Sequence, residues 1–492
     1  MTEIELKFQV PAESRAAVAA AVAGRGATAR TLRLQAAYFD CADGRLAAAG
    51  VALRLRREGA RWVQTLKAAG EDAMTRLEHN VPRRERTAAV PLPDPALHAG
   101  TPAGERLAAL LGEGGELACR YRTDIRRTLR SVRRPGALLE LAFDQGRIVA
   151  GDASAPVCEL EIELLRGDPA ALLAAARDWV TRHGLWLDVR SKAERGTLLA
   201  AGTQRASERK AGAVALDAAM SLGAARRAVL GECVQQIVVN ASQIASADFG
   251  DAHVHQLRVG LRRLRSALAL FAADAEADAL AAGAAALFRA LGAARDRVAI
   301  AQPLGEQIGA AMRAAGVALA PPAWPAGAEQ DPAQVVRSAA AQAWLLAALQ
   351  ASAVVAADEA GAAEAEAPLK ARLAAWHRQL RRSARRFAEL DEEARHRLRK
   401  RVKRLRCALE FTRGLFEAKK LARLVKALAE LQTRLGALND AGVALQALRT
   451  APATDPAVSF ALGWLTARCA ALAEECRPAL ERFVTTRPPW KR

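Results

Sequence analysis

The hydrophobic spacing changes period near residue 200. Upstream, apolar and polar residues alternate in short runs separated by Gly, Pro and Asp. Such alternation puts successive side chains on opposite faces of a strand. Downstream, long Ala/Leu/Arg-rich stretches repeat with the helical period. One kind of element cannot satisfy both patterns. The chain therefore divides into a β-rich part, residues 1–200, and an all-α part, residues 215–480. The small, polar run 201–214 (AGTQRASERKAGAV) reads as the linker.

Charge follows the same division. Lys and Arg number 72 against 53 Asp and Glu, a net of +19. Only +5 falls in residues 1–200, and +14 in the rest. So large a positive balance points to polyanions: nucleic acid, an anionic membrane, or condensed phosphate. Aromatic residues are 4% of the chain and only two are Tyr. That disfavours nucleic-acid binding through stacked single strands. The seven cysteines are scattered and form no C-x-x-C, which argues against a disulfide framework or zinc site and fits a reducing cytoplasm. Glu3 and Glu5 stand where a signal peptide would be basic and then apolar. Residues 338–357 lack charge over 20 positions, but they are Ala-rich and include Gln342, Gln350 and Ser352. This composition fits a buried bundle helix better than a membrane span.

In the β part, charged rows alternate with apolar ones. Glu3, Glu5 and Lys7 share a face against Ile4, Leu6 and Phe8. One such strand would suit a half-exposed surface. The pattern recurs, however, at Arg54/Arg56, Thr65/Lys67, Arg76/Glu78/Asn80, Arg120/Arg122/Asp124/Arg126, Glu140/Asp144 and Glu159/Glu161/Glu163. A closed barrel with a polar lumen gives every charged face one destination. Helices at about 12–24 and 169–182 would cover the apolar outside. Mixed charge inside is too costly to leave dry and unpaired. Divalent cations on the carboxylates and a polyanion on the basic groups would neutralise it, and hard oxygen ligands select Mg²⁺ or Mn²⁺ over zinc.

Seven motifs in order then resemble the CYTH domain, the triphosphate tunnel metalloenzymes: E-x-E-x-K at Glu3–Lys7, YFD at Tyr38–Asp40, GVALRLR at Gly50–Arg56, TLK at Thr65–Lys67, ELAFDQG at Glu140–Gly146, ELEIEL at Glu159–Leu164 and SKAERG at Ser191–Gly196. The resemblance implies an eight-stranded antiparallel tunnel that hydrolyses triphosphates with a divalent metal. It implies metal ligation by Glu3, Glu5, Glu159, Glu161 and Glu163. Substrate clamping would fall to Lys7, Arg54, Arg56, Lys67, Arg120, Arg122 and Lys192, with Arg76 and Arg126 extending the basic lining. The attacking water would be oriented by a second metal, Glu78 or Asp144.

The α part contains an internal repeat. HQLRVGLRRLRSALALF begins at His255 and HRLRKRVKRLRCALEF at His396, 141 residues later; LGAARD at Leu291 and LGALND at Leu435 follow, 144 apart. The polar sets are His255, Arg258, Arg262, Arg265 and His396, Arg399, Lys403, Arg406. Their common spacing places each set within about an 80° arc of a helix. Like charges so spaced destabilise an isolated helix. A solvated face would account for one copy; two matched copies favour a bound anion. No carboxylate cluster or nucleophile–base pair accompanies them, so binding is expected there, not catalysis.

These repeats resemble the CHAD domain, over about residues 215–480 with copies at 215–320 and 336–480. The resemblance implies two pseudo-symmetric four-helix bundles and a basic groove for inorganic polyphosphate. Asn439 stands where the first copy has Arg295, which puts equal anion contact by the two halves in question. The expectation is thus an α+β chain: an N-terminal β tunnel with flanking helices, then two helical bundles. It would hydrolyse inorganic triphosphate with Mg²⁺ or Mn²⁺ and bind polyphosphate, in the cytoplasm or on polyphosphate granules, without membrane contact. Alternatives are thiamine triphosphate or a nucleoside triphosphate as substrate, including adenylate cyclisation, or a non-catalytic polyanion scaffold.

Overall fold

The structure, a computed structural model, describes residues 2–24, 29–69, 74–85, 89–112, 115–271, 274–324, 330–353, 364–451 and 455–490, with backbone alone at 2, 69, 76 and 293–300. The fold is α+β. Strands come first: β1 (Thr2–Gln9), β2 (Arg30–Asp40), β3 (Val51–Glu58), β4 (Arg61–Ala69), β5 (Thr75–Pro82), β6 (Ala118–Arg134), β7 (Ala137–Ala150), β8 (Ala153–Gly167) and β9 (Trp186–Leu187). Helices α1 (Arg15–Ala23), α2 (Arg45–Ala48), α3 (Pro102–Leu111), α4 (Pro169–His183) and α5 (Lys192–Ala200) are interspersed. No helix or strand lies in residues 202–220.

From there the chain is helical: α6 (Leu222–Ala245), α7 (Asp251–Phe271), α8 (Ala275–Ala290), α9 (Ala293–Ala314), α10 (Pro332–Arg337), α11 (Ala339–Ala353), α12 (Glu366–Arg385), α13 (Glu392–Phe411), α14 (Ala418–Leu448), α15 (Pro456–Glu475) and α16 (Arg477–Thr485). Contacts divide the chain into two units. The first comprises residues 1–210 together with 234–257 and 332–351; the second comprises 211–233, 258–331 and 352–492.

In the first unit the sheet runs β5-β4-β3-β2-β6-β7-β8-β1-β9, all antiparallel. It has nine strands, not eight, because Leu187 and Trp186 pair with Phe8 and Gln9. β1 serves two neighbours: Glu5–Gln9 pair with β8, and Thr2–Ile4 pair with β5. Gly151, at φ +56°, makes the tight turn from β7 to β8.

The two faces of the sheet have different fillings. On the outer face, Val51, Leu53 and Leu66 pack under Ala103, Leu107 and Leu111 of α3. Thr101 caps α3 by accepting from Gly104 N at 3.0 Å, which satisfies one orphan amide of its first turn. On the inner face, Leu34, Ala36, Tyr38, Tyr121, Ile125, Ile148 and Val157 form a second apolar cluster with Leu199 of α5. α5 therefore packs on this face, against β6, β7 and β8. Gly196 permits this approach, since a Cβ there would stand 2.2 Å from Cε2 of Tyr121.

The uncharged stretch at 338 forms α11, which belongs to the first unit. Its Gln342 is fully buried yet satisfied: Oε1 accepts from Leu187 N at 2.8 Å and Nε2 donates to Val336 O at 2.8 Å. In the second unit, Leu304, Ile308 and Met312 of α9 share a core with Ala441, Ala444 and Leu448 of α14 and Ala461, Leu465 and Leu472 of α15. Residues 456–485 are long enough to cross a membrane and include an 18-residue window of mean hydropathy 1.3; the stretch is divided at Cys476 into α15 and α16.

Candidate functional site

Antiparallel register identifies which side chains share the inner face. Gln9, Lys7 and Glu5 lie opposite Glu159, Glu161 and Glu163, and Asp144 and Glu140 lie opposite Glu159 and Glu163. Lys67 lies opposite Glu78, Arg54 opposite Tyr38 and Thr65, and Glu3 opposite Arg76. The Arg76 side chain is outside the described residues.

These groups form two acidic clusters. In the first, Asp144, Glu159 and Glu161 bring one carboxylate oxygen each within 4.8 Å of one another. The Lys192 ammonium sits among them, 2.7 Å from Asp144 Oδ2, 2.7 Å from Glu161 Oε1, and in contact with Glu159. Arg127 grips Asp144 through Nε and Nη2, both at 2.6 Å, and also pairs with Glu161. Arg195 Nη1 reaches Glu159 Oε2 at 3.2 Å. Three carboxylates thus face three cations. Burial works against the charge of Glu161, but Arg127 and Lys192 outweigh it and hold its carboxyl well below the usual range.

The second cluster is Glu3, Glu5, Glu78, Glu140 and Glu163. Lys67 Nζ pairs with Glu3 Oε2 at 2.9 Å and with Glu78. Burial and Arg54 oppose the Lys67 ammonium, but Glu5, Glu3 and Glu78 hold its pKa above the ordinary value. Burial, a hydrogen bond with Glu78 and the charge of Glu5 push Glu3 up to about 7, against the pull of Lys67. Glu78 moves the other way despite burial, because Lys67 and the same hydrogen bond favour its anion. The pair titrates as a unit. Burial, Glu140 and Glu5 raise Glu163 to about 6.

Above these clusters stand cations. Lys7 is 7% exposed. Arg54 Nη1 donates to Tyr38 OH at 3.3 Å, and Tyr38 stacks on Tyr121 with centroids 4.7 Å apart. Arg56 pairs with Glu58, and burial together with the nearby Arg54 depresses its pKa.

The β6 row is different. Arg120, Arg122 and Arg126 are exposed on the outer face. Tyr121, Thr123, Ile125 and Arg127 take the inner positions, opposite Tyr38, Ala36, Leu34 and Leu32. Their expected place among the lumen residues is therefore corrected. Arg127 was missed because Arg126-Arg127 supplies an arginine to each face, and alternation alone cannot choose between them. Arg195 was also missed, although it lies in the SKAERG motif beside Lys192. The signal for both is an acidic triad in need of more than one cation.

Oxygen-only donors within 4.8 Å suit a hard divalent cation such as Mg²⁺ or Mn²⁺. Asp144 and Glu159 are fully buried, so their orientation is fixed by packing as well as by pairing.

In the helical part, α7 carries His255 and Arg265 exposed, and Arg258 and Arg262 half-buried. Arg258 lies 4.3 Å from the centroid of the Phe288 ring and Arg262 lies 5.7 Å from it. On α13, His396 Nδ1 contacts Asn439 Oδ1 at 2.7 Å, Arg399 approaches Asp440 at 3.9 Å, and Arg406 Nε donates to Gln432 Oε1 at 3.0 Å. The LGALND segment therefore anchors the second stripe. In the first copy, the side chains of Arg295 and Asp296 are outside the described residues. Leu291 and Gly292 separate α8 from α9, whereas α14 runs through the matching segment unbroken. Burial and the charges of Arg399, Arg262 and Arg406 lower Lys403 to about 8. Arg262 belongs to the first stripe and Lys403 to the second, so the two stripes influence each other electrostatically.

Residues 1–197 match the family model of the CYTH domain, and residues 228–449 that of the CHAD domain. An inorganic triphosphatase of Haemophilus influenzae is 31% identical over 169 residues, 33% of this chain and 44% of that protein. The chain thus spans less than half the length of this curated relative. Among solved structures, a CHAD domain from the plant Ricinus communis is 32% identical with a TM-score of 0.44, covering 58% of this chain and 99% of that one. A Hippeastrum protein first assigned as an adenylyl cyclase, with a dominant triphosphatase activity, is 19% identical with a TM-score of 0.29, covering 41% of this chain and 96% of that one.

Proposed function

The chain carries a CYTH domain at residues 1–197 and a CHAD domain at residues 228–449, and we propose that it hydrolyses inorganic triphosphate in the first and binds inorganic polyphosphate with the second. One observation carries the enzymatic half: an oxygen-donor triad, Asp144, Glu159 and Glu161, on the same sheet face as Lys7, Arg54, Arg56 and Lys67. Pairing of β1 with both β8 and β5 supports a sheet closed on itself, with this face as the lumen of a tunnel. The similarity to an inorganic triphosphatase favours tripolyphosphate over a nucleotide, and no base-recognition device is apparent in the sequence.

Asp144, Glu159 and Glu161 would hold a magnesium or manganese ion, with Glu3, Glu5 and Glu163 as further oxygen donors. When bound, such an ion neutralises charge on phosphoryl oxygens. The remaining roles belong to side chains. Lys7, Arg54, Arg56 and Lys67 bind the phosphate oxygens, and the guanidiniums offer forked donors. Fixed cations stabilise charge that builds during phosphoryl transfer. Of the two side chains that are candidates for orienting the attacking water beside a second metal, Asp144 is held by Arg127 and Lys192 with 1% of its side chain exposed. Glu78 has 12% exposed and lies beside Glu3 and Lys67, so it is the better placed.

In the CHAD domain, convergence of Arg262, Arg399 and Arg406 on Lys403 supports an anion seat shared by both stripes. His255, Arg258 and Arg265 would extend it on α7, and His396 on α13.

The test is phosphate release from tripolyphosphate, long-chain polyphosphate, ATP and thiamine triphosphate, with and without Mg²⁺. Fastest release from tripolyphosphate, dependent on Mg²⁺ and abolished by Glu159→Gln, is expected. No release from tripolyphosphate would overturn the proposal, and faster ATP or thiamine triphosphate turnover would replace the substrate.

A further inference from the structure

The arginines of β6 that do not face the site form a surface of their own. On the outer face, Arg33 of β2 lies directly opposite Arg126, and Arg126 opposite Gln145 of β7. One pleat along, Gln35 lies opposite Asp124, and Asp124 opposite Arg147. Arg122 follows on the same face of β6. Arg33, Arg122, Arg126 and Arg147 are all exposed. A surface depression of about 610 Å³ runs along Thr31, Arg33, Arg126 and Arg147.

Directly opposed like charges destabilise a sheet, and this face carries such a pair. Asp124 is the one carboxylate at the centre, and both its oxygens are taken by Arg33, at 2.9 Å from Nε and 2.7 Å from Nη2. Among the described residues, Arg122 and Arg126 form no ion pair, and Arg147 acts on Asp124 through its charge alone. The cluster is therefore short of negative charge by several units, with its guanidiniums presented from neighbouring strands to solvent.

We propose that this outer face of β2, β6 and β7 is a docking surface for a condensed phosphate chain, made of residues other than those of the inner-face site and of the helical stripes. Guanidinium forks match phosphate oxygens bidentately, and a flat pleated row offers them to an extended polyanion along its length. Single-stranded nucleic acid would need exposed aromatic platforms. Both Tyr residues are buried on the inner side and Trp62 is 3% exposed. The proposal concerns binding alone and does not depend on turnover.

The test uses the full chain and labelled long-chain polyphosphate in a binding titration at fixed salt. Arg262→Gln/Lys403→Gln/Arg406→Gln neutralises three of the eight residues of the helical stripes, and Arg122→Gln/Arg126→Gln/Arg147→Gln is tested both alone and added to it. Neutralising three phosphate contacts weakens such binding by about tenfold or more, with unchanged circular dichroism and unchanged tripolyphosphate turnover. Arg126→Glu alone, at an exposed position, gives the same direction if the triple variant melts early. Unchanged polyphosphate affinity overturns the proposal. An equal loss for duplex DNA at the same salt also overturns it, since the surface would then be a general polyanion face. Wild-type protein that docks polyphosphate through these arginines but releases no phosphate would sink the proposed enzymatic function and leave this surface standing.

Discussion

Lys192 Nζ and Asp144 Oδ2 stand 2.7 Å apart, and the same ammonium also bonds Glu161 at 2.7 Å and touches Glu159. A lysine thus occupies the centre of the triad best suited to a divalent ion. With Arg127 and Arg195 it brings three carboxylates to neutrality.

Replacing Lys192 by Met leaves that triad one charge short. We expect metal-free protein to melt earlier and Mn²⁺ to bind about tenfold tighter, a change of ~1.4 kcal/mol. Calorimetric titration of Mn²⁺ into both proteins checks this. Equal affinity would show that the lysine does not compete for the seat.

Arg127 and its neighbour Arg126 should behave oppositely. Arg127→Gln removes one of the two cations paired with buried Asp144 and with Glu161, Lys192 being the other, and breaking a buried pair costs up to about 3–5 kcal/mol. Arg126→Gln, exposed on the outer face, should change stability by less than ~0.5 kcal/mol. Urea melts of the two variants would expose an error in the β6 register if the costs were reversed.

Gly196→Ala should displace α5. The new methyl would meet the Tyr121 ring at 2.2 Å, and overpacking of this kind costs about 1–3 kcal/mol. Turnover should fall too, because Lys192 and Arg195 lie on the same helix. Adding Tyr121→Leu to Gly196→Ala should recover part of the melting temperature. A wild-type melting curve for the single variant would contradict the contact.

The Glu3–Glu78 pair predicts a pH limb. Glu3, raised to about 7, is increasingly protonated below that value, so metal-dependent turnover should rise with pH through about 7. For stability the sign is opposite. The folded state retains a proton that the unfolded chain releases near 4.5, so this group's contribution declines as pH rises from about 4.5 to 7. Glu78→Gln removes a charge that raises Glu3, and should move the limb to lower pH. A limb that stays in place would assign it to another group.

Lys403 predicts a second pH effect, on binding. Lowered to about 8, it loses charge as pH rises from 7 to 9. Polyphosphate affinity should fall over that range, and binding near pH 8 should take up a proton. Titrations in buffers of different ionisation enthalpy measure the uptake, and Lys403→Arg should abolish it. A pH-independent affinity would remove Lys403 from the anion seat.

Much of the β fold was legible because alternation fixes faces without knowledge of register. Cys-Glu-Leu-Glu-Ile-Glu-Leu at 158–164 can put its three glutamates on only one side of a strand. β6 was not legible in this way. Its sequence from Arg120 to Arg130 places arginines in both phases, so polarity cannot choose the inward one. Tertiary contacts choose: Tyr121 stacks on Tyr38 and its hydroxyl donates to Ala193 O at 2.8 Å, which carries Arg127 inward and Arg126 outward. The ninth strand was likewise invisible, since two residues are too few to show a period. In the helical part, matched spacing revealed the stripes. It could not reveal that the LG segment is a break between two helices in one copy and the middle of a helix in the other.

The position of α5 bears on how a long chain could be consumed. With Leu199 packed among Leu34, Ile125, Ile148 and Val157, α5 would make one end of the proposed lumen a bottle's base instead of a pipe's second opening. A lumen closed in this way would admit a polymer only by its terminus and clip it from that end inward. Its products would leave by the mouth through which it came.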